Sequence, residues 1–247
     1  MNEYTFSTMN STATLTFSEV RDPEEVAAAV RSVFEQYDHR FSRDSSAADF
    51  SLNERRAKAS ELAQSTHGLN SPRTSAGRPH GRSASLVAPS FTTKAAAYSS
   101  AMTAMALGSA GGFLDAAGVE NWALALNGDV LVAGERARNK PWEVPVEDGS
   151  DAREPLATVK LVSPRRASKT LRSSKDSPDA RDLVQVTVIA DDIQAADLAT
   201  VDVLAGGLQR FSQIASKWAV DAVAVDQSGS VHITGGAFAA VRARGTD

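Results

Sequence analysis

Few kinds of side chain in this 247-residue sequence could do chemistry. There is no cysteine, which excludes disulfides, thiolate nucleophiles and cysteine metal sites. His39, His67, His80 and His232 are scattered without ligand spacing, so a zinc centre is not expected. Neither a Gly-x-Gly-x-x-Gly nor a Walker sequence occurs, and Rossmann and P-loop nucleotide sites drop out with them. What remains are charged groups at turns and helix starts. Asp129 follows Asn127-Gly128, the strongest short hairpin signal, where an aspartate ordinarily serves the turn. Asp197 lies in the first turn of a candidate helix, where the helix dipole favours negative charge. Thr200 shares its face three residues on, with a hydroxyl able to bond its own backbone. Lys94 stands at another candidate helix start, solvated or aimed at a phosphate. Arg73, Arg78 and Arg82 lie in residues 66–85, a basic stretch rich in Gly, Ser and Pro that fits a solvated loop or a phosphate contact.

The elements that must position these groups follow from pattern. Residues 4–17 alternate around Ala13-Thr14-Leu15-Thr16-Phe17 and predict an edge strand. Asp22-Pro23-Glu24-Glu25 starts a helix over 23–37, with Val26, Val30, Val33 and Phe34 on one face. A helix is expected over 54–65 and a short buried strand over 86–91. Another helix runs over 95–107, interrupted afterwards by Gly108 and Gly111-Gly112. Gly118 is a natural helix stop. Beyond it, alternation at Trp122, Leu124 and Leu126, the Asn127-Gly128 turn, Val130-Leu131-Val132 and a third strand over 143–146 make a meander. Residues 156–162 and 183–190 alternate as strands, and 163–182 are polar. Helices over 193–206, capped by Asp192, and 208–218 precede a closing hairpin across Gln227-Ser228-Gly229. Strands and helices do not keep a βαβ rhythm. The fold class is therefore α+β layers, in a chain long enough for one large domain or two lobes sharing a core.

Composition sets the outer bounds. Apolar residues make up 42% and charged residues 23%, as in an ordinary globular protein. The net charge of −4 gives no reason to expect nucleic acid as a partner. No apolar run reaches the roughly 18 residues of a membrane span. The first residues carry neither a basic nor an apolar leader region, so the expected setting is cytoplasmic.

Several phrases, taken in order, resemble the ApbE-like family, the FAD:protein FMN transferases. Arg40-Phe41-Ser42 is similar to that family's "D-x-RFS", and Leu52-Asn53 to its "S-x-LN". Val87-Ala88-Pro89-Ser90 with Lys94 resembles "DPSGxxKG". Asn127-Gly128-Asp129, Gly134 and Pro141-Trp142 resemble "GGD, then G, then PW". Ala196-Asp197-Leu198-Ala199-Thr200 resembles "ADAxAT", and residues 223–229 its "lvDxxG" hairpin. The resemblance implies one two-lobed ApbE-like domain over 1–247, α+β with a central mixed or antiparallel sheet flanked by helices, that binds FAD and uses Mg²⁺ to transfer FMN to a Ser or Thr of a target protein. It implies Lys94, Asn127, Gly128 and Asp129 as FAD-contacting residues, and Asp197 and Thr200 as metal ligands. It assigns no catalytic residue.

The chain also departs from that pattern. Asp197 and Thr200 are three apart where the family has four, and Ala88 and Ala95 replace its Asp and Gly. Its "TSG…H-x-x-DP-x-TG" loop is represented only by Ala167-Ser168-Lys169-Thr170 and Ser177-Pro178. Two readings follow: an Mg²⁺-dependent flavin transferase, or a catalytically degenerate homologue that binds flavin or serves as a protein-interaction module.

Overall fold

A computed structural model describes residues 1–9, 11–45, 91–147, 155–161, 166–172 and 182–243. The expected helix 54–65, the loop 66–85 with its three arginines, and the expected strand up to residue 90 lie outside the described residues. Strands β1 (Asn2–Thr8) and β2 (Ser11–Phe17) lead into helix α1 (Pro23–Ser45). Helix α2 (Phe91–Ala116) precedes β3 (Trp122–Leu126), β4 (Asp129–Ala133), β5 (Trp142–Glu147), β6 (Pro155–Leu161), β7 (Ala167–Arg172) and β8 (Leu183–Ala190). Helix α3 (Ile193–Trp218), β9 (Asp221–Asp226), β10 (Val231–Ile233), α4 (Gly235–Ala240) and β11 (Val241–Ala243) complete the chain order.

One eight-stranded sheet, in the order β1-β2-β3-β4-β7-β8-β9-β10, and one three-stranded sheet, β11-β6-β5, result. Every described pairing is antiparallel. The α+β expectation is met. Period-2 alternation sends neighbouring side chains to different cores. Leu131 and Val188 join α1, α2 and α3 in a core on one face. Val132 and Ile189 join Trp142, Val144, Val159 and Leu161 of the small sheet in a second core on the other. The eight-stranded sheet is therefore a middle layer, apolar on both sides.

Five expectations change. The third strand of the expected meander does not pair with β4: β5 lies in the small sheet beside β6, because a long polar turn carries Trp142 and Val144 to the opposite face, and β7 takes the place beside β4. Residues 4–17 are not one strand but a hairpin, turned at Met9, whose φ is +49°. The carboxylate of Asp38 on α1 accepts the Met9 N–H at 2.8 Å and the Thr8 hydroxyl at 3.2 Å, which holds that turn. Helix α1 runs past residue 37 to Ser45. Phe91 opens helix α2 instead of ending a strand. That helix also runs unbroken through Gly108 and Gly111-Gly112. The physical reason is close approach: a Cβ on Gly111 would meet the Trp122 ring at 2.7 Å and Leu131 at 2.8 Å. The contact this allows with β3 and β4 offsets the roughly 1 kcal/mol that a helical glycine costs.

Helix α3 meets expectation in detail. The Asp192 side chain caps its first turn by accepting from the N–H groups of Gln194 and Ala195. Gly207, at φ +66° and ψ −158°, breaks it between the two expected segments. Trp122 and Trp142 are core residues, their indole N–H groups donating to Asp115 and to the Ala133 carbonyl, each at 3.0 Å.

Candidate functional site

The turn at 127–129 forms as its residue types dictate. Asn127 and Gly128 take φ of +56° and +82°, the left-handed pair a two-residue hairpin needs. Both remain exposed at the turn. Asp129 opens β4 and points the other way: its pairing partner is the buried Leu126, on the helix-covered face, and Asp129 is 2% exposed.

Beside β4 lies β7, inside the polar stretch from which no strand was expected. The pairings Val130↔Ser168 on one flank and Lys169↔Val188 on the other make it an interior strand. Its polar residues are tolerated because they are partnered. The Thr170 and Thr187 hydroxyls lie 2.9 Å apart. Lys169, 2% exposed, runs beneath the helices and bonds the Asp129 carboxylate directly through its ammonium. Lysine is almost never this deeply buried without a partner. Here the partners come from three further elements.

From α3, Asp197 brings Oδ1 to 3.5 Å from the ammonium. From α2, the Ser100 carbonyl oxygen accepts from it at 3.3 Å. The Ser100 hydroxyl in turn donates to Asp197 Oδ1 at 2.5 Å. The backbone N–H of Thr170 donates to Asp129 Oδ1 at 3.3 Å. The second turn of α3 places Asp197, the 129 turn places Asp129, and β7 sets the cation between them. Burial pushes the Asp129 carboxyl up to about 6, against the charge and hydrogen bond of Lys169 and the Thr170 N–H, which pull it down.

Of the residues singled out from sequence, the structure brings Asp129 and Asp197 together and leaves Asn127 and Gly128 on the surface of the turn. Lys94 lies in the first turn of α2, six residues before Ser100 and about 9 Å away along the axis. Its side chain falls outside the described residues. Thr200 is fully buried, and its hydroxyl donates to the Ala196 carbonyl at 2.6 Å instead of facing Asp197. Lys169 and Ser100 were missed. The one signal for Lys169 was its place in a stretch that only loosely matched a motif; Ser100 had none.

As these side chains stand, they do not fit Mg²⁺. That ion asks for oxygen donors in octahedral geometry at about 2.0–2.1 Å. Asp129 and Asp197 instead share an ammonium, and Thr200 is committed to its own helix. Among the described residues no group of three His, Cys, Asp or Glu side chains could hold a metal.

Among solved structures, the chain is similar to the apo form of the flavinyl transferase ApbE of Pseudomonas stutzeri. The TM-score is 0.61 at 18% identity, over 96% of each chain. It is similar to the ApbE protein of Thermotoga maritima at TM-score 0.65 and 15% identity, over 98% of this chain and 99% of that one. The flavin transferase ApbE of Vibrio cholerae gives 0.65 at 13%, over 95% and 97%. The fold is ApbE-like. No family model and no curated protein matches the sequence. The ApbE-like likeness therefore rests on backbone arrangement, and on that fold the buried Lys169 occupies the space between β4, β7, α2 and α3. No described helix is long and apolar enough to cross a membrane.

Proposed function

We propose that this protein acts on FAD, holding the dinucleotide and transferring its FMN moiety to a serine or threonine of a partner protein. The hydroxyl oxygen, losing its proton, forms a bond to the FMN phosphorus as the pyrophosphate bond breaks and AMP leaves. What supports the reading is the ApbE-like fold, carried over 95% or more of this chain in each comparison. In this proposal the exposed Asn127-Gly128 turn and Lys94 line the flavin nucleotide, near the end of the sheet where Asp129 enters. The turn suits that work: its backbone is pre-set by two left-handed residues and presents no bulky side chain at Gly128. The metal role expected for Asp197 and Thr200 is not carried into the proposal, because both are engaged within the protein. No step is assigned to Mg²⁺.

A second reading is favoured by one observation, the Lys169 ammonium lodged between Asp129 and Asp197. On that reading the protein holds flavin without turning it over, or serves as an interaction module on an inherited fold. Titration with FAD, followed by flavin fluorescence, is the first test. Saturable binding followed by covalent, fluorescent labelling of an acceptor protein supports the transferase. Saturable binding with no labelling of any acceptor supports the flavin holder. The absence of binding at high FAD concentration would end both flavin readings and leave the interaction module.

A further inference from the structure

We propose that the Lys169 ammonium is a tethered cation standing between Asp129 and Asp197 in the position a divalent ion would take, so that this protein binds no divalent metal there. The inference stands on side-chain contacts alone and does not depend on the flavin reading. A lysine ammonium has three protons. Two are donated in hydrogen bonds, to Asp129 Oδ2 and to the Ser100 carbonyl at 3.3 Å, and Asp197 Oδ1 stands at 3.5 Å as an ion-pair partner. The ammonium is thus engaged within the protein on three sides, which sets Lys169 apart from a lysine exposed to substrate.

The surroundings close the site further. Asp129, Asp197 and Lys169 are each no more than 4% exposed, so water does not screen them. The Ser100 hydroxyl, from the neighbouring helix, donates to the same Asp197 oxygen that faces the ammonium. Admitting a dication means moving Lys169 out and leaving its charge without acceptors inside the core, which is costly. Conversely, two buried carboxylates deprived of the ammonium need another cation, and oxygen pairs of this kind suit Mg²⁺ or Mn²⁺.

The experiment counts bound Mn²⁺ by electron paramagnetic resonance on the full chain, wild type and Lys169→Ala, with thermal unfolding in Mg²⁺ or in chelator alongside. In the wild type all Mn²⁺ stays free and Tm is indifferent to Mg²⁺. In Lys169→Ala one Mn²⁺ binds, and a hundredfold excess of metal over its dissociation constant raises Tm by roughly 5–10 °C. Adding Asp197→Asn abolishes that gain. A variant that folds only once Mn²⁺ is supplied supports the proposal equally. One Mn²⁺ bound by the wild type and lost in Asp197→Asn overturns it, and so does a folded Lys169→Ala that binds none. Should Lys169→Ala fold under neither condition, the wild-type count decides.

Discussion

Two hairpins of the eight-stranded sheet carry an aspartate at the turn, and they use it in opposite ways. At 127–129 the carboxylate turns inward, beneath α2 and α3, and meets a buried ammonium. At the β9–β10 turn Asp226 stays at the surface. There it accepts from the Ser228 hydroxyl at 2.5 Å and the N–H groups of Ser228 and Ser230 at 2.8 and 2.9 Å, while His232 Nε2 lies 2.9 Å from its other oxygen. Burial drives the Asp129 carboxyl up to about 6. The Ser228 hydroxyl first, then His232 and the backbone donors, hold Asp226 well below the usual carboxylate range. Similar turn residues thus acquire opposite proton affinities. What is packed over the turn decides which.

The largest way to break the comparison is Lys169→Met. Removing one partner of a buried ion group leaves uncompensated charge, so stability should fall by about 3–5 kcal/mol in urea unfolding at neutral pH. Adding Asp129→Asn and Asp197→Asn should restore much of it, since the remaining groups are then neutral. A loss under 1 kcal/mol would mean the cluster is solvated and unlike the structure described.

Gly111→Ala comes next. The added methyl meets Trp122 and Leu131 and pushes α2, which carries Ser100, off β3 and β4. The expected cost is about 1–3 kcal/mol. Amide exchange should quicken around Asp129 and stay unchanged at the Asp226 turn; equal quickening at both would refute the local origin assigned here.

The two aspartates then separate by pH. The folded state holds the Asp129 proton more tightly than the unfolded chain does. Its contribution is therefore complete below about 3.8 and lost as pH rises through about 6. Denaturation curves between pH 4 and 6 should show wild-type stability falling relative to Asp129→Asn. The sign reverses at Asp226, whose contribution is present above its ordinary 3.8 and lost as pH falls through its lowered folded value. Asp226→Asn should remove only that acid-side slope, the smallest effect of the four, read as a difference between wild-type and variant Tm near pH 3. An unchanged slope would show that the Ser228 and His232 contacts do not persist in solution.

Much of the scaffold was legible because local signals agreed with the tertiary outcome. The alternation of residues 183–190, the Asn127-Gly128 turn, the Asp192 cap and the break at Gly207 each carry their own chemistry, and each stands where the sequence places it. The hairpin hidden in residues 4–17 was less visible. Its turn uses Met9 at positive φ, held by Asp38 from another element. The glycines of α2 misled for a related reason: their helical cost is local, whereas the closeness to Trp122 that compensates for it is not.

The candidate site divides along the same line. Residue types and spacing alone determined that Asp129 ends a turn, that Asp197 and Thr200 sit on one α3 face, and that cysteine chemistry is absent. Only the tertiary structure decided that Asp129 faces inward, that Thr200 bonds Ala196, and that Lys169 and Ser100 join the two aspartates. Ser100, Asp129, Lys169 and Asp197 span nearly a hundred residues of chain. No periodicity of 2 or 3.6 encodes such a meeting. It is created when β7 slots between β4 and β8 beneath two helices, where low solvent access makes each charge demand a partner.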